Sequence, residues 1–289
     1  MSRRYFAEWY AEETLKTAGS MYLLFDIGGT NTRVAVSKNL HALDRVAVFK
    51  TQQNFSKGLG DLAKAASKLS GGKKIKWVVG GVAGVLDDKK TKLVGARNLP
   101  EWVKKPLKKE VGRLFKVPVY LENDAVLAGL GEAHYGAGKD AEILAYLTIS
   151  TGVGGARIVD GKIDRKTFGF EPGKQIIHQG KTLEWFISGR DVERRFGKKA
   201  ENIIDRATKE ELARYLAQGL NNIIVLWSPN AIVIGGSVVN IIPLDSVRRH
   251  LKKILKPFPK LPLLARARLG DTGGLWGALE LLKQGSKIR

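Results

Sequence analysis

The sequence has no cysteine among its 289 residues, and its four histidines lie far apart. Disulfide bonds and thiolate zinc sites are therefore excluded, and a histidine metal site is not expected. Long apolar runs are also missing, because no stretch approaches the ~20 residues that cross a bilayer. No secretion signal is recognisable near the first residues. These absences predict a cytoplasmic protein without a membrane partner.

The composition contains few acidic residues relative to basic ones, with 28 Asp and Glu against 49 Lys and Arg and a net charge of +21. The basic residues form small scattered clusters without interleaved aromatic residues. A solvated lysine surface is therefore favoured over a specific nucleic-acid interface. The hydrophobic content of 44% is typical of a globular protein.

A glycine pair follows the first apolar stretch, residues 22–25, in the segment Asp26-Ile27-Gly28-Gly29-Thr30. The pattern predicts a strand, a turn and a second strand through residues 34–36. Because glycine lacks a Cβ atom, an anion can approach the amides of Gly28, Gly29 and Thr30 closely. Asp26 at the mouth of the turn can hold magnesium near a phosphate. An ordinary hairpin is the alternative.

A related stretch, Ser150-Thr151-Gly152-Val153-Gly154-Gly155-Ala156-Arg157, follows a second apolar run. Aligning Arg157 with Arg33 places Ser150 against Asp26 and Gly152 against Gly28. This weak internal duplication suggests two similar hairpins that grip one polyphosphate.

Strand and helix patterns alternate in both halves, which predicts an α/β protein. Residues 75–79 have a strand pattern that feeds the glycine-containing segment 80–84. Helices are expected over residues 183–196 and 210–227. Residues 1–20 are expected to form a short helical extension.

Glu122-Asn123-Asp124 follows a predicted strand and begins a predicted helix. Asn and Asp are common helix caps, which is one interpretation. An aspartate at a strand end opposite a phosphate-binding turn can instead accept a proton from a substrate hydroxyl, as phosphoryl transfer requires. Neither a P-loop nor a dinucleotide-binding glycine motif is present.

Four segments resemble the ROK family of sugar kinases and occur in the family's order: residues 26–30, 122–125, 147–155 and 232–237. The resemblance extends over residues 21–285 and also includes Asn98-Leu99-Pro100 and residues 273–279. It implies the two-lobed actin-like ATPase (ribonuclease H-like) fold, with duplicated α/β domains around a central cleft. The expected lobes are residues 21–121 and 122–273, with helix 274–289 packing back on the first.

The resemblance also implies roles for individual residues. Asp124 would be the general base that deprotonates the attacking sugar hydroxyl. Sugar hydroxyls would be bound by Asn98, Asn123, Glu171 and Glu184, and phosphates and magnesium by Asp26, Gly28, Gly29, Thr30, Ser150, Thr151, Gly152 and Gly154. Gly235 and Gly236 would lie near the adenosine of ATP. A homodimer is expected.

One position departs from the family pattern, because Lys174 stands where a sugar- and zinc-contacting histidine is usual. The cysteine-rich zinc loop is also absent, so no structural zinc is expected. A lysine can donate to a sugar oxygen but cannot accept from one. We therefore expect Lys174 to contact the substrate, and the departure bears on which sugar fits.

The sequence favours an ATP-dependent hexose kinase, most closely a glucokinase that forms glucose 6-phosphate. An N-acetylmannosamine or N-acetylglucosamine kinase is the nearest alternative. A sugar-binding pseudokinase is a second alternative, motivated by Lys174. A sugar-responsive repressor is a third, although residues 1–20 are too short for a helix-turn-helix.

Overall fold

The computed structural model describes residues 20–164 and 167–287, so the helical extension expected over residues 1–20 lies almost wholly outside the described part. The strands are β1 (Met21–Ile27), β2 (Asn31–Ser37), β3 (Arg45–Lys50), β4 (Ile75–Val82), β5 (Val85–Leu86), β6 (Leu93–Gly95), β7 (Val119–Asn123), β8 (Ile143–Ile149), β9 (Val153–Val159), β10 (Lys162–Ile163), β11 (Ile176–His178), β12 (Lys181–Thr182), β13 (Ala231–Gly235) and β14 (Leu263–Arg266). The helices are α1 (Phe55–Ser70), α2 (Leu107–Phe115), α3 (Asp124–Tyr135), α4 (Leu183–Ile187), α5 (Gly189–Phe196), α6 (Arg206–Trp227), α7 (Leu244–Ile254) and α8 (Gly273–Lys287).

The chain forms two compact units, each built on a five-stranded sheet. The first sheet has the order β3-β2-β1-β4-β7 and the second has the order β10-β9-β8-β13-β14. Corresponding neighbours run in the same relative directions, antiparallel on one side of β1 and β8 and parallel on the other. The α/β class and the duplicated domains are therefore confirmed.

The chain passes from the first unit to the second at Gly131, inside α3, and returns at Asp271. The expected lobes place the first of these boundaries after residue 121 instead. The difference arises because the first turns of α3 pack with the first unit, where Leu127 is fully buried beside α8.

The two sheets share their topology, but the alignment of Arg33 with Arg157 does not match equivalent positions in their hairpins. Arg33 pairs with Asp26 across the β1–β2 ladder. Arg157 pairs with Ala145 across the β8–β9 ladder, and Ser150 lies beyond the end of β8. Because the two hairpins have different registers, the proposed match of Asp26 with Ser150 is wrong.

The first sheet is covered on both faces, which explains the nearly continuous apolar character of β1. Side chains alternate along the strand, so Phe25 faces the core that contains Trp102 while Leu24 faces the opposite core. That second core is closed by α8, which contributes Leu275 and Leu279. Helix α8 thus completes the sheet that carries the first glycine turn.

The second sheet packs against one large core in which α6 is the longest helix. Leu216 and Leu220 of α6 are fully buried with Ile232 and Ile234 of β13. The core fixes the ends of β8 and β13, where the second glycine turn and Gly235 lie.

Some predicted boundaries differ from the structure, and packing explains two of the differences. Strand β4 does not end at residue 79 but continues to Val82, because Gly80 provides space for a neighbouring ring: a methyl group there would lie 2.0 Å from Phe25. The single helix predicted over residues 183–196 is two helices, α4 and α5. Ser188 separates them, and its hydroxyl accepts the amide hydrogen of Asp191 at 3.3 Å, which caps α5.

Helix α1 contains two glycines that provide a matched test of the packing. A methyl group at Gly58 would lie 2.4 Å from the buried ring of Trp102, whereas one at Gly60 meets no atom within 4 Å. We expect Gly58→Ala to lower the free energy of unfolding by ~1–3 kcal/mol through overpacking. Gly60→Ala should raise it by up to ~1 kcal/mol, because alanine favours helix. Urea unfolding followed by circular dichroism measures both, and equal effects would contradict this packing.

Candidate functional site

Three parallel strands bring the acidic residues of the first unit to one edge of its sheet. Asp26 of β1 pairs with Gly81 of β4, which pairs with Glu122 of β7. Because these strands run in the same direction, their carboxyl ends meet at one edge, where ligands bind in open α/β sheets. Asp124 follows β7 directly as the first residue of α3. The sheet therefore places Asp26 and Asp124 on either side of Gly81.

Two glycines leave room around Asp26 that any side chain would fill. A methyl group at Gly81 would lie 3.3 Å from Oδ1 of Asp26 and 3.4 Å from Cα of Asp124. A methyl group at Gly274, in the first turn of α8, would lie 2.8 Å from Oδ2 of Asp26. The carboxylate is thus enclosed closely by main chain on two sides.

Burial dominates the electrostatics of Asp26. Its Oδ1 is buried without a hydrogen-bond partner. Burial, together with the nearby carboxylates of Asp124 and Asp271, raises the pKa of Asp26 to about 7, and Arg33 opposes the shift. The Arg33 guanidinium forms an ion pair of 2.8 Å with Asp271, so its positive charge is shared.

Asp124 is also affected by burial, which raises the pKa of its carboxyl group, while hydrogen bonds from backbone N–H groups oppose the shift. One of these bonds is donated by Ala125 to Oδ1 at 2.9 Å. A raised pKa at a strand end is typical of a carboxylate that accepts protons near neutral pH.

Asn123 caps α3, as the capping interpretation predicted. Its Oδ1 accepts the amide hydrogen of Val126 at 3.1 Å, and its Nδ2 donates to the carbonyl of Gly84 at 3.0 Å. An asparagine amide has two donor hydrogens and two acceptor lone pairs, so one of each is left beyond these bonds. Capping and binding of a sugar hydroxyl are therefore compatible.

The first glycine turn lies beside Asn98. A methyl group at Gly29 would lie 2.5 Å from Cβ of Asn98, so the glycine is required for this close packing. The hydroxyl of Thr51, which follows β3, donates to the carbonyl of Gly28 at 2.8 Å, and the Thr51 amide donates to the carbonyl of Thr30 at 2.9 Å. Thr51 thus holds the turn at Gly28 and Thr30. The turn packs against Asn98 and follows Asp26 by two residues in sequence.

In the second unit, the turn at residues 150–154 contacts two later segments. The carbonyl of Ser150 accepts from the amide of Gly189 at 2.7 Å, and its hydroxyl accepts from the amide of Ser237 at 3.3 Å. Gly236 has φ 93°, and a methyl group on it would lie 2.3 Å from the carbonyl oxygen of Ile149. The structure therefore packs Gly236 against the main chain at the start of this turn, while Gly235 pairs with Thr148 of β8.

Glu184 links this turn to Lys174. Its Oε2 accepts from the amide of Val153 at 3.0 Å, and its Oε1 accepts from Nζ of Lys174 at 2.6 Å. Arg190 approaches the same carboxylate at 4.0 Å. Glu184 is nearly buried while Lys174 is half exposed. The amide of Lys174 donates to the carbonyl of Glu171 at 2.9 Å, which places both residues in one tight turn.

The predicted site residues therefore fall into two groups, one in each unit. Sequence reasoning missed three features of the first group: the spacing role of Gly81, the approach of Gly274 to Asp26, and the Arg33–Asp271 ion pair. The glycines themselves were visible in the sequence. Their contacts depend on strand register and on the return of α8, which no local pattern contains.

Two features are absent from residues 20–164 and 167–287. No helix there has both the length and the hydrophobicity to cross a membrane. No group of three or more histidine, aspartate or glutamate side chains there is arranged to hold a metal ion.

The sequence profile of the ROK family matches residues 22–285. The chain belongs to the ROK family. A glucokinase from Streptomyces coelicolor is 26% identical over 91% of this chain and 98% of the relative. An N-acetyl-D-glucosamine kinase from Salmonella typhimurium is 28% identical over 89% of this chain and 98% of the relative.

A solved structure supports the same assignment. The ROK family glucokinase from Streptomyces griseus, in complex with glucose and AMPPNP, is 26% identical with a TM-score of 0.77. The match covers 91% of this chain and 99% of that protein. The fold is the actin-like ATPase fold of the ROK kinases, as the sequence motifs predicted.

The raised pKa of Asp26 predicts a pH-dependent stability. A carboxyl group whose folded pKa exceeds its unfolded value, ~3.9, stabilises the fold less as pH rises through the folded value. In buffer without nucleotide or magnesium, we expect Asp26→Asn to gain stability relative to wild type as pH rises from about 4 to about 7, and the gain to level off above that. Thermal unfolding measures this difference. The exposed Asp88→Asn is the control, and a pH-independent difference for Asp26→Asn would contradict the assigned pKa.

Proposed function

We propose that this ROK protein is an ATP-dependent sugar kinase, with glucose as its substrate and Asp124 as general base. The observation that carries the proposal is the enclosed pair of carboxyl groups, Asp26 and Asp124, at the carboxyl edge of three parallel strands. Whole-length similarity to sugar kinases and to a glucokinase complex with glucose and AMPPNP adds support.

Asp124 has one chemical task in this proposal. As the sugar hydroxyl oxygen forms its bond to the γ-phosphorus of ATP, its proton passes to the Asp124 carboxylate. The bond between that phosphorus and the bridging oxygen of ADP breaks, giving sugar phosphate and ADP. The burial that raises the pKa of Asp124 makes its carboxylate a stronger base near neutral pH.

Asp26 fits a magnesium ion that accompanies ATP. Its buried Oδ1 has no hydrogen-bond partner. Burial raises the pKa of the Asp26 carboxyl group, and a neighbouring cation would lower that pKa again. Mg²⁺ prefers oxygen ligands and commonly uses one or two carboxylates with substrate phosphates. When bound, it would neutralise charge on the phosphates. The amides of Gly28, Gly29 and Thr30, and those of Ser150, Thr151, Gly152 and Gly154, are proposed to bind phosphate oxygens.

The remaining proposed contacts concern sugar and adenosine. Asn98, Asn123, Glu171, Lys174 and Glu184 are proposed to bind sugar hydroxyls, and Gly235 and Gly236 to lie by the adenosine. Polar side chains such as these suit a polyol, because a sugar lacking the matching hydroxyl leaves them unpaired. The homodimer expected from the resemblance stays a prediction.

One observation favours a second candidate, N-acetylglucosamine kinase. The ammonium group of Lys174 is a donor only, and an acetamido carbonyl is an acceptor only, so the two are complementary. Lys174 is half exposed beside Glu184, where its Nζ has hydrogens beyond the one given to that carboxylate. A non-catalytic role is disfavoured because Asp26 and Asp124 are both present and adjacent.

The decisive experiment is ADP release from Mg-ATP by the purified protein. Glucose, fructose, mannose, N-acetylglucosamine, N-acetylmannosamine and a no-sugar control are compared. We expect release that depends on sugar and is greatest with glucose. A greater rate with N-acetylglucosamine would select the second candidate. Binding of a sugar, detected by thermal shift, without release would instead support the pseudokinase.

Asp124→Asn tests the base directly. We expect kcat to fall by about 100-fold to 10,000-fold, because the variant cannot accept the proton. The dissociation constant for sugar, measured by calorimetry, should change much less. Asp88→Asn, an exposed aspartate of the same unit, should match wild type. A kcat for Asp124→Asn above a tenth of wild type would contradict the base assignment.

A further inference from the structure

An ion pair between the partly exposed Lys90 and the buried Glu122 lies one residue from the Asn123–Asp124 corner and belongs to no part of the proposed chemistry. Nζ of Lys90 forms a short contact with Oε2 of Glu122, and the Glu122 side chain is 2% exposed. Nζ also lies 5.4 Å from the ring centroid of Tyr120. Burial alone would lower the pKa of Lys90, but Glu122 and Tyr120 together raise it. The ammonium group therefore stays charged at neutral pH.

Lys90 is held by the turn that joins β5 to β6. Its amide donates to the carbonyl of Asp87 at 2.9 Å, and it adopts the left-handed conformation with φ 51°. The Asp87 carboxylate accepts hydrogen bonds from the amide and hydroxyl of Thr91 and from the amide of Lys92. The side chain of Lys90 thus comes from an ordered turn.

The other oxygen of Glu122 reaches the corner itself. Oε1 accepts the backbone amide hydrogen of Asn123 at 2.9 Å. Asn123 in turn caps α3 through Val126 and donates to the carbonyl of Gly84, which precedes β5. The β5–β6 hairpin therefore holds the corner at two points, through Lys90 with Glu122 and through Gly84.

We propose that Lys90 is a positioning residue that fixes, through Glu122, the backbone corner from which Asp124 projects. The inference rests on the proposed function for its kinetic consequence. Lys90 and Glu122 have no part in the proposed transfer of the sugar hydroxyl proton to Asp124 or of the γ-phosphoryl group to the sugar. Their role is to hold the Asn123 amide, and hence the start of α3, in one geometry.

The contacts explain why a charged pair is used here. Glu122 must present an acceptor to the Asn123 amide while its side chain is buried. A buried carboxylate without a cation is strongly disfavoured, and removing one partner of such a pair leaves the other uncompensated. Lys90→Met should therefore disturb Glu122, and with it the corner.

The test compares the steady-state kinetics of one single and two double variants with those of wild type. We expect Lys90→Met to lower kcat at least tenfold while KM for ATP stays within twofold. The pair Lys90→Met with Glu122→Gln removes both charges but keeps an acceptor for the Asn123 amide, and should recover kcat to within about threefold of wild type. Lys90→Met with Glu122→Leu is also neutral but has no acceptor, and should stay at least tenfold impaired. The exposed Lys89→Met is the matched control.

Backbone hydrogen exchange gives a readout that does not require activity. We expect the Asn123 and Val126 amides to exchange at least tenfold faster in Lys90→Met, and near the wild-type rate when Glu122→Gln accompanies Lys90→Met. Recovery by the Glu122→Gln pair but not by the Glu122→Leu pair supports the proposal even when Lys90→Met alone does not fold. Unchanged exchange, or equal kcat for the two double variants, would overturn it. Absence of sugar-dependent turnover in wild type would overturn the proposed function instead, and exchange alone would then decide whether Lys90 fixes the corner.

Discussion

The burial of two carboxyl groups at one sheet edge is the constraint on which the first unit depends. Asp26 and Asp124 are brought together by parallel strands, and burial raises the pKa of both. A buried carboxylate is costly unless it is paired or hydrogen-bonded. The fold meets this cost only in part, because Oδ1 of Asp26 keeps no partner. The unpaired carboxylate of Asp26 is therefore less stable than the same group with a bound cation or proton.

The second unit repeats the sheet but not this electrostatic arrangement. Its acidic residue near the glycine turn, Glu184, has a backbone amide on one oxygen and the Lys174 ammonium on the other. Both oxygens of this carboxylate therefore have hydrogen-bond partners. The two units thus share strand order while differing in whether the buried acid has partners. Duplication of topology therefore did not duplicate the chemistry, and a fold-level repeat alone says little about which half acts on the substrate.

The α/β class, the pair of similar hairpins and the family could be predicted from sequence because they depend on short ordered motifs and alternating patterns. The contacts around Asp26 could not, since Gly81 and Gly274 are separated widely along the chain and meet the carboxylate only after the sheet and α8 have formed. Local patterns also gave a wrong strand boundary where one glycine is compatible with two structural roles. Gly80 suggests a strand end in sequence, but in the fold it provides space for a phenylalanine ring inside β4. The proposed role of Lys90 has no local signal either, because a lysine in a turn normally indicates a solvated surface, whereas here its ammonium group contacts the buried Glu122.

The return of α8 to the first unit has a consequence for the order of folding during synthesis. The face of the first sheet that contains Leu24 and Val79 is covered by Leu275, Leu279 and other residues of α8. Those residues leave the ribosome only after the whole second unit has been made, at a rate of ~5–20 residues per second. Until then this apolar face lacks the cover that α8 provides, and exposed apolar surface in a partly folded chain favours aggregation. Gly274 of α8 also encloses Asp26, so a chain that lacks α8 does not have the complete surroundings of this carboxylate.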